Sequence, residues 1–112
     1  MLNTLPHTDN AVLDIRKLSD YCLDENHPQG KHKAKLFASA LGIDASNADE
    51  LRNILLEGLK FTPAVIGRAD EYGQRYTVDI EVKFGSKSAK VRTGWIIEYG
   101  TTIPRLTTCY PL

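Results

Sequence analysis

The sequence predicts an α+β protein, with about three N-terminal helices packed on a four-stranded antiparallel meander. Three observations carry that expectation. Up to about residue 60, apolar residues recur at spacings of three and four. After Pro63 the period changes to two. The alternating stretches are joined by short turns, which suit antiparallel neighbours rather than crossover connections.

The first ten residues are polar with an early proline and read as an irregular lead-in. From Asp14, "DIRKLSDYCLD" puts Ile15, Leu18 and Cys22 on one helical face with Tyr21 beside them, and Asp14 suits an N-cap. "ENHPQG" then breaks the chain into a loop. A second helix is expected from Lys31 to Leu41, with Ala34, Phe37, Ala38 and Leu41 facing inward and Gly42 as its left-handed cap. A third follows "DASNADE", striped by Leu51, Ile54, Leu55 and Leu59 and ended by Phe61 and Pro63. In the strand half, Tyr76, Val78, Ile80 and Val82 alternate with Thr77, Asp79, Glu81 and Lys83. Val91, Thr93, Trp95 and Ile97 share the inner face of the next strand, after a turn at "GSKS". "EYG" at 71–73 and "YGTTIP" are further turns, and "RLTTCY" forms the last strand.

Length and composition bound the function. At 112 residues, 42% hydrophobic and 25% charged, the chain fits one globular domain, 1–112, with its own core. Its 14 basic and 14 acidic side chains cancel, which argues against indiscriminate coating of nucleic acid but leaves room for a local basic patch. No apolar run reaches the roughly 18 residues of a membrane span, so no membrane partner is expected. The opening stretch has no signal-peptide pattern, and a cytoplasmic location is the expectation. Cys22 and Cys109 read as buried reduced thiols.

No metal and no cofactor is expected. His7, His27 and His32 make no ligand set, the cysteines lack a CxxC partner, and no phosphate-binding glycine loop is present. Asp79 and Glu81 alternate on one strand face, as solvated surface residues do. Two polar clusters carry more chemistry. In "GKHKAKLF", His32 and Lys33 fall in the first turn of a helix, where basic residues oppose the dipole unless an anion is bound there. In "PRLTTCYP", Arg105 offers the planar fork that suits phosphate, and Thr108 and Tyr110 offer hydroxyls. Strict alternation puts Arg105 and Thr107 on one face and Thr108 and Tyr110 on the other, with Arg92 and Thr93 across the ladder. That inventory would serve RNA cleavage, in which the 2′-hydroxyl attacks its own phosphate while a base takes its proton and cations stabilise the charge. The simpler account makes Thr and Tyr ordinary strand formers and pairs Arg105 with a carboxylate such as Glu98.

The blocks "LPHTDNAVLDIRKLSDYCLDENHPQGKHKAKLFASALGI", "EYGQRYTVDI", "VRTGWII" and "PRLTTCYP" together resemble a bacterial family of small proteins catalogued as a domain of unknown function. Members of that family occur free-standing and as the C-terminal tip of polymorphic toxins. The order of helices and meander also looks like the barnase–EndoU–colicin–RelE group of metal-independent ribonucleases. The resemblance singles out Lys17, Tyr21 and Lys33 in the helical half and Tyr72, Tyr76, Trp95, Arg105, Thr108 and Tyr110 in the strands. Tyr21, Tyr76 and Trp95 are expected in the core. Toxins of this group are often strongly basic, whereas this chain has a pI near 6.8.

The resulting expectation is a toxin-type, metal-independent endoribonuclease. Lys33 and Arg105 would neutralise phosphate, His32 would exchange the proton, and Thr108 and Tyr110 would orient the scissile group. Expected partners are RNA and a cognate antitoxin or immunity protein. The alternative is a non-enzymatic binding or immunity-type module acting through protein–protein contacts, including a homodimer through an edge strand. This assignment of residues predicts that the helix start and the terminal strand meet at one cleft, and it fails where Lys33 and Arg105 lie on opposite sides of the domain.

Overall fold

A computed structural model describes residues 3–112. Three helical elements precede a four-stranded antiparallel sheet of order β1-β2-β3-β4, the α+β meander the periodicities predict. The strands are β1 (Val65–Ala69), β2 (Gly73–Phe84), β3 (Lys87–Glu98) and β4 (Arg105–Pro111). No helix among the described residues is long and apolar enough to cross a membrane.

The first helix departs from a regular one. Asp14 caps it as expected, accepting from the Arg16 N–H at 3.0 Å, but α1 (Ile15–Lys17) is a single turn. It passes into a π turn, Leu18–Cys22, closed by the Leu23 N–H donating to the Leu18 carbonyl at 2.8 Å. The extra residue per turn rotates Tyr21 and Cys22 relative to a regular helix. Leu18 and Cys22 are buried, as the apolar spacing predicts, and Tyr21 lies half-buried above them.

α2 (Lys31–Leu41) buries Ala34, Phe37 and Leu41, and ends on Gly42 in the left-handed conformation at φ 67°. α3 (Ala48–Leu59) begins at Ala48 rather than after Glu50. A 3-10 turn over Ala45–Asn47 leads into it, closed by a reciprocal pair in which Asp44 accepts from Ser46 and Asn47 accepts from Asp44. α3 buries Leu51, Leu55 and Leu59 against the sheet.

Val78, Ile80 and Val82 of β2 and Val91, Thr93 and Trp95 of β3 form the inner sheet face. Thr93 is the one polar residue there. Its hydroxyl donates to the Val78 carbonyl at 2.6 Å and accepts from the Trp95 indole at 2.7 Å, so every buried polar atom of the pair is satisfied. Alternation weakens at the end of β3. Ile96, on the opposite face from Trp95, is also buried, because it stands between Arg75 and Arg105 in the ladder and their aliphatic stems flank it.

β4 carries a bulge that strict alternation misses. Leu106 opposes Trp95 and Thr108 opposes Gly94, leaving Thr107 as the extra residue. Arg105, Thr108 and Tyr110 therefore oppose Ile96, Gly94 and Arg92, a single row of β3, instead of dividing between two faces. The lead-in also does more than expected. Val12 forms a parallel bridge to Arg105, its N–H donating to Pro104 and its carbonyl accepting from Leu106, both at 2.9 Å. The start of the β4 edge is thereby covered.

Candidate functional site

The polar groups of the first helix, the "HPQG" loop and β4 converge on Tyr21. The loop is shaped by His27, whose Nδ1 accepts from the Gln29 N–H at 3.0 Å and the Gly30 N–H at 2.9 Å. This satisfies donors at the start of α2 that no side chain of the helix caps. With Nδ1 so occupied, the ring carries its proton on Nε2, where it can donate but not accept. The His27 ring meets Tyr21 edge-on, with centroids 5.0 Å apart. Gly30 is buried against the Tyr21 carbonyl with no space for a β-carbon, so the loop seats directly on the π turn.

On the other side of Tyr21 lies the β4 edge. The Thr108 hydroxyl donates to the Tyr21 hydroxyl at 3.5 Å. Lys33, on the first turn of α2, places its ammonium 5.4 Å from the centre of the Tyr21 ring and 5.7 Å from that of Tyr110. The cation is thus held against two π faces. Next to this group opens a cleft of about 590 Å³ lined by Asp14, Arg16, Lys17, Tyr21, His27, Gln29 and Thr107. Asp14 is the lone carboxylate of that lining. Arg16 reaches it at 2.7 Å and holds its carboxyl down at about 2, helped by the Arg16 backbone N–H. Lys17 and the His27 Nε2–H remain in the lining to meet a ligand, and Lys33 stands on the ring of Tyr21 outside it. A local positive cluster therefore exists in a chain whose charges cancel overall.

Below Tyr21 and Thr108 lie Cys22 and Cys109, both free thiols and both inaccessible. The neighbouring Cys109, with Thr108 and the Lys33 charge, draws the Cys22 thiol below its usual range against the opposing effect of burial. Cys109 moves the other way: the influence of Cys22 and then burial push it well up.

Of the five residues picked from sequence, Lys33, Thr108 and Tyr110 come together here. Arg105 does not. It opens β4 while Tyr110 nearly ends it, roughly 16 Å apart along an extended strand, and its Nε donates to Glu98 at 3.1 Å. That is the carboxylate pairing the simpler account proposed. His32 is exposed on α2 and makes no hydrogen bond or ring contact among the described residues. Trp95 is in the core and Tyr76 half-buried at its margin, while Tyr72 is exposed. The sequence does not mark the central residue: Tyr21 reads as core by type, and His27 reads as a loop residue that belongs to no ligand set. The available signal was the short spacing between "KLSDYC" and "HPQGKHK", with Tyr21 and His27 six positions apart across a chain reversal. Among the described residues no group of three His, Cys, Asp or Glu side chains is placed to hold a metal ion.

A family model for a domain of unknown function, DUF6883, matches residues 4–112. The chain belongs to that family. The DUF6883 match takes in every element that builds the cleft, from the Val12 bridge to the end of β4. No curated protein and no solved structure matches the chain.

Proposed function

We propose that this DUF6883 chain is a toxin-type, metal-independent RNA-cleaving domain whose scissile phosphate lies beside Tyr21 and Lys33. The observation that carries the reading is the local concentration of cation, hydroxyl and imidazole donors around one tyrosine in an otherwise neutral chain. Lys33 and Lys17 supply positive charge to a phosphodiester. The Thr108, Tyr21 and Tyr110 hydroxyls and the His27 Nε2–H supply donors for the oxygens that become more negative in the transition state. His27 is a poor base in this setting, because its Nδ1 is committed to backbone N–H groups. The exposed His32, one residue before Lys33, is the imidazole left to take the 2′-hydroxyl proton. Arg105 has no part in this site, since Glu98 holds its guanidinium.

The test is cleavage of a single-stranded RNA oligonucleotide by the purified chain in the presence of a chelator, beside a DNA oligonucleotide of the same sequence. Cleavage of RNA alone, leaving 2′,3′-cyclic phosphate ends and slowed about 100-fold in Lys33→Ala, is expected. RNA that stays intact with the wild-type chain sinks the reading.

One observation favours a second reading, a module acting through protein contacts. Every residue of β1 is exposed, and Phe61, Val65 and Ile66 are each about two-thirds accessible beside an unpaired strand edge. Specific capture of a protein partner that is abolished by Ile66→Lys, with no RNA cleavage, would favour it.

A further inference from the structure

The cleft beside Tyr21 does not end at β4. Thr107, the bulged residue of that strand, lines it and also lines a second groove of about 360 Å³ on the outer face of the sheet. That groove runs from Thr107 past Gly94 and Thr77 to Arg75, Gly67 and Arg68, so it crosses all four strands. Three interstrand spacings make it about 14 Å long. Gly94 stands between Thr77 and Thr108 in the ladder, and its missing side chain leaves backbone as the floor.

Charge sets this groove apart from its neighbour. The next groove along the same face sets Asp79 and Glu81 against Lys90 and Arg92. The one that continues the Tyr21 cleft is lined by Arg68 and Arg75 and by no carboxylate. Both arginines are held by Asp70, which lies outside the lining. Its Oδ2 accepts from the Arg75 Nε–H at 2.6 Å and the Arg68 Nε–H at 3.2 Å. Its Oδ1 accepts from the backbone N–H groups of Tyr72 at 2.9 Å and Gly73 at 3.3 Å. One carboxylate thus orients two guanidinium groups and leaves positive charge in excess. Among the described residues each of the two is engaged only at Nε, so the terminal nitrogens are open to an anion. A guanidinium fixed beforehand loses little freedom on meeting a phosphate.

We propose that the outer groove is a second phosphate subsite, which takes the single-stranded RNA chain as it leaves the Tyr21 cleft and holds a flanking phosphate on Arg75 and Arg68. The proposal rests on the RNA reading of that cleft and adds where the rest of the chain lies. The strand passes Thr107, crosses the sheet at Gly94, and sets a phosphate a few nucleotides from the scissile one against the arginine pair. Thr77 offers a hydroxyl to the sugar and phosphate oxygens on the way. Contacts of this kind position the chain without reading its sequence. The preferred substrate is therefore longer than a dinucleotide.

The test is binding of a 2′-O-methyl octanucleotide, which lacks the attacking hydroxyl and stays intact, to the full chain by fluorescence anisotropy. Arg68→Gln and Arg75→Gln should each weaken binding about fourfold at physiological salt and shrink the slope of log K against log salt by about 0.7. Gly94→Val should weaken it comparably without removing a charge. Its β-carbon meets the end of the Thr107 side chain at 3.1 Å, a contact that side chain can yield. Lys83→Gln, an equal loss of charge at the far end of β2, should change nothing. A 2′-O-methyl dinucleotide, measured by displacement of the labelled octanucleotide, should bind Arg68→Gln as it binds the wild type, whereas Lys17→Gln weakens it. The proposal is overturned if the octanucleotide does not bind, if it binds Arg68→Gln as it binds the wild type, or if Lys83→Gln weakens it equally. Binding with the expected responses but no cleavage of unmodified RNA sinks the catalytic reading and leaves the subsite standing. Cleavage without those responses does the reverse. Because the Arg68 side chain is 75% exposed, its variant decides the matter even where Arg75→Gln does not fold.

Discussion

Gly30 lies directly against the carbonyl of Tyr21, in the space a β-carbon would occupy. Its own backbone, at φ −86° and ψ −18°, is one any residue adopts. The requirement is therefore for room rather than for glycine's freedom of conformation. Gly30→Ala should push the "HPQG" loop off the π turn and destabilise the fold by about 2 kcal/mol. Gly42 is the opposite case: its φ of 67° is left-handed and nothing lies near it, so Gly42→Ala should cost about 1 kcal/mol through backbone strain alone. Urea denaturation of the two variants measures the difference. Only Gly30→Ala should also disturb ligand binding in the cleft.

The Thr93 hydroxyl is the hinge of a buried polar relay from Trp95 to Val78. Thr93→Val keeps the shape but leaves the indole N–H without an acceptor, at an expected cost of about 1–3 kcal/mol. Thr93→Ser keeps both hydrogen bonds and should lose less. Chemical denaturation followed by Trp95 fluorescence reports stability and local environment together.

Acid should weaken the protein through carboxylates paired with arginine. The Arg75 side-chain hydrogen bond, then the Tyr72 N–H, hold Asp70 far below the usual carboxylate range. Arg92 lowers Asp79, and Arg16 lowers Asp14 to about 2. A carboxyl lowered on folding stabilises the fold at pH above its unfolded value, near 3.8, and that contribution is lost as pH falls through the folded value. Melting temperature should therefore be flat above about pH 5 and fall below about pH 4. Asp79→Asn should start lower at pH 7 and fall less on acidification. A wild-type melting temperature unchanged between pH 5 and pH 2 would contradict this.

If RNA occupies the cleft, the lysines should behave as phosphate contacts. Lys17→Gln and Lys33→Gln should each weaken binding of single-stranded RNA and shrink the slope of log K against log salt by about 0.7. Arg105→Gln should leave both slope and affinity unchanged, because that guanidinium faces Glu98. It should shift stability by no more than about 0.5 kcal/mol. Fluorescence anisotropy across a salt series separates the three variants.

The parts of the fold set by local periodicity were legible in the sequence. Helix α2 with its Gly42 cap and the inner row Val78, Ile80 and Val82 follow from spacing alone, because each residue's neighbours in sequence are also its neighbours in packing. The site was only partly legible. Lys33, Thr108 and Tyr110 were chosen for their chemistry and do meet, but what brings them together is Tyr21, an aromatic residue that reads as core by residue type. Its placement depends on a π turn, whose extra residue leaves no mark in the pattern of apolar positions. Arg105 misled for the reverse reason. Its guanidinium suits phosphate anywhere, and only the ladder reveals that Glu98 lies within reach. The switch of faces in β4 and the bridge from Val12 to Arg105 are pairings between distant segments, to which alternation within one strand is blind.

The spare residue in β4 has a genealogical consequence. Because Leu106 already sits opposite Trp95 and Thr108 opposite Gly94, Thr107 can be deleted without moving any residue to a new partner. A homologue one residue shorter at this point would keep Cys109 inward and Tyr110 beside Arg92. A homologue with an extra residue anywhere else in the strand would reverse them. Length variation in the "PRLTTCYP" segment should thus be tolerated at its first threonine and scarcely elsewhere, and any alignment of relatives should open its gap there.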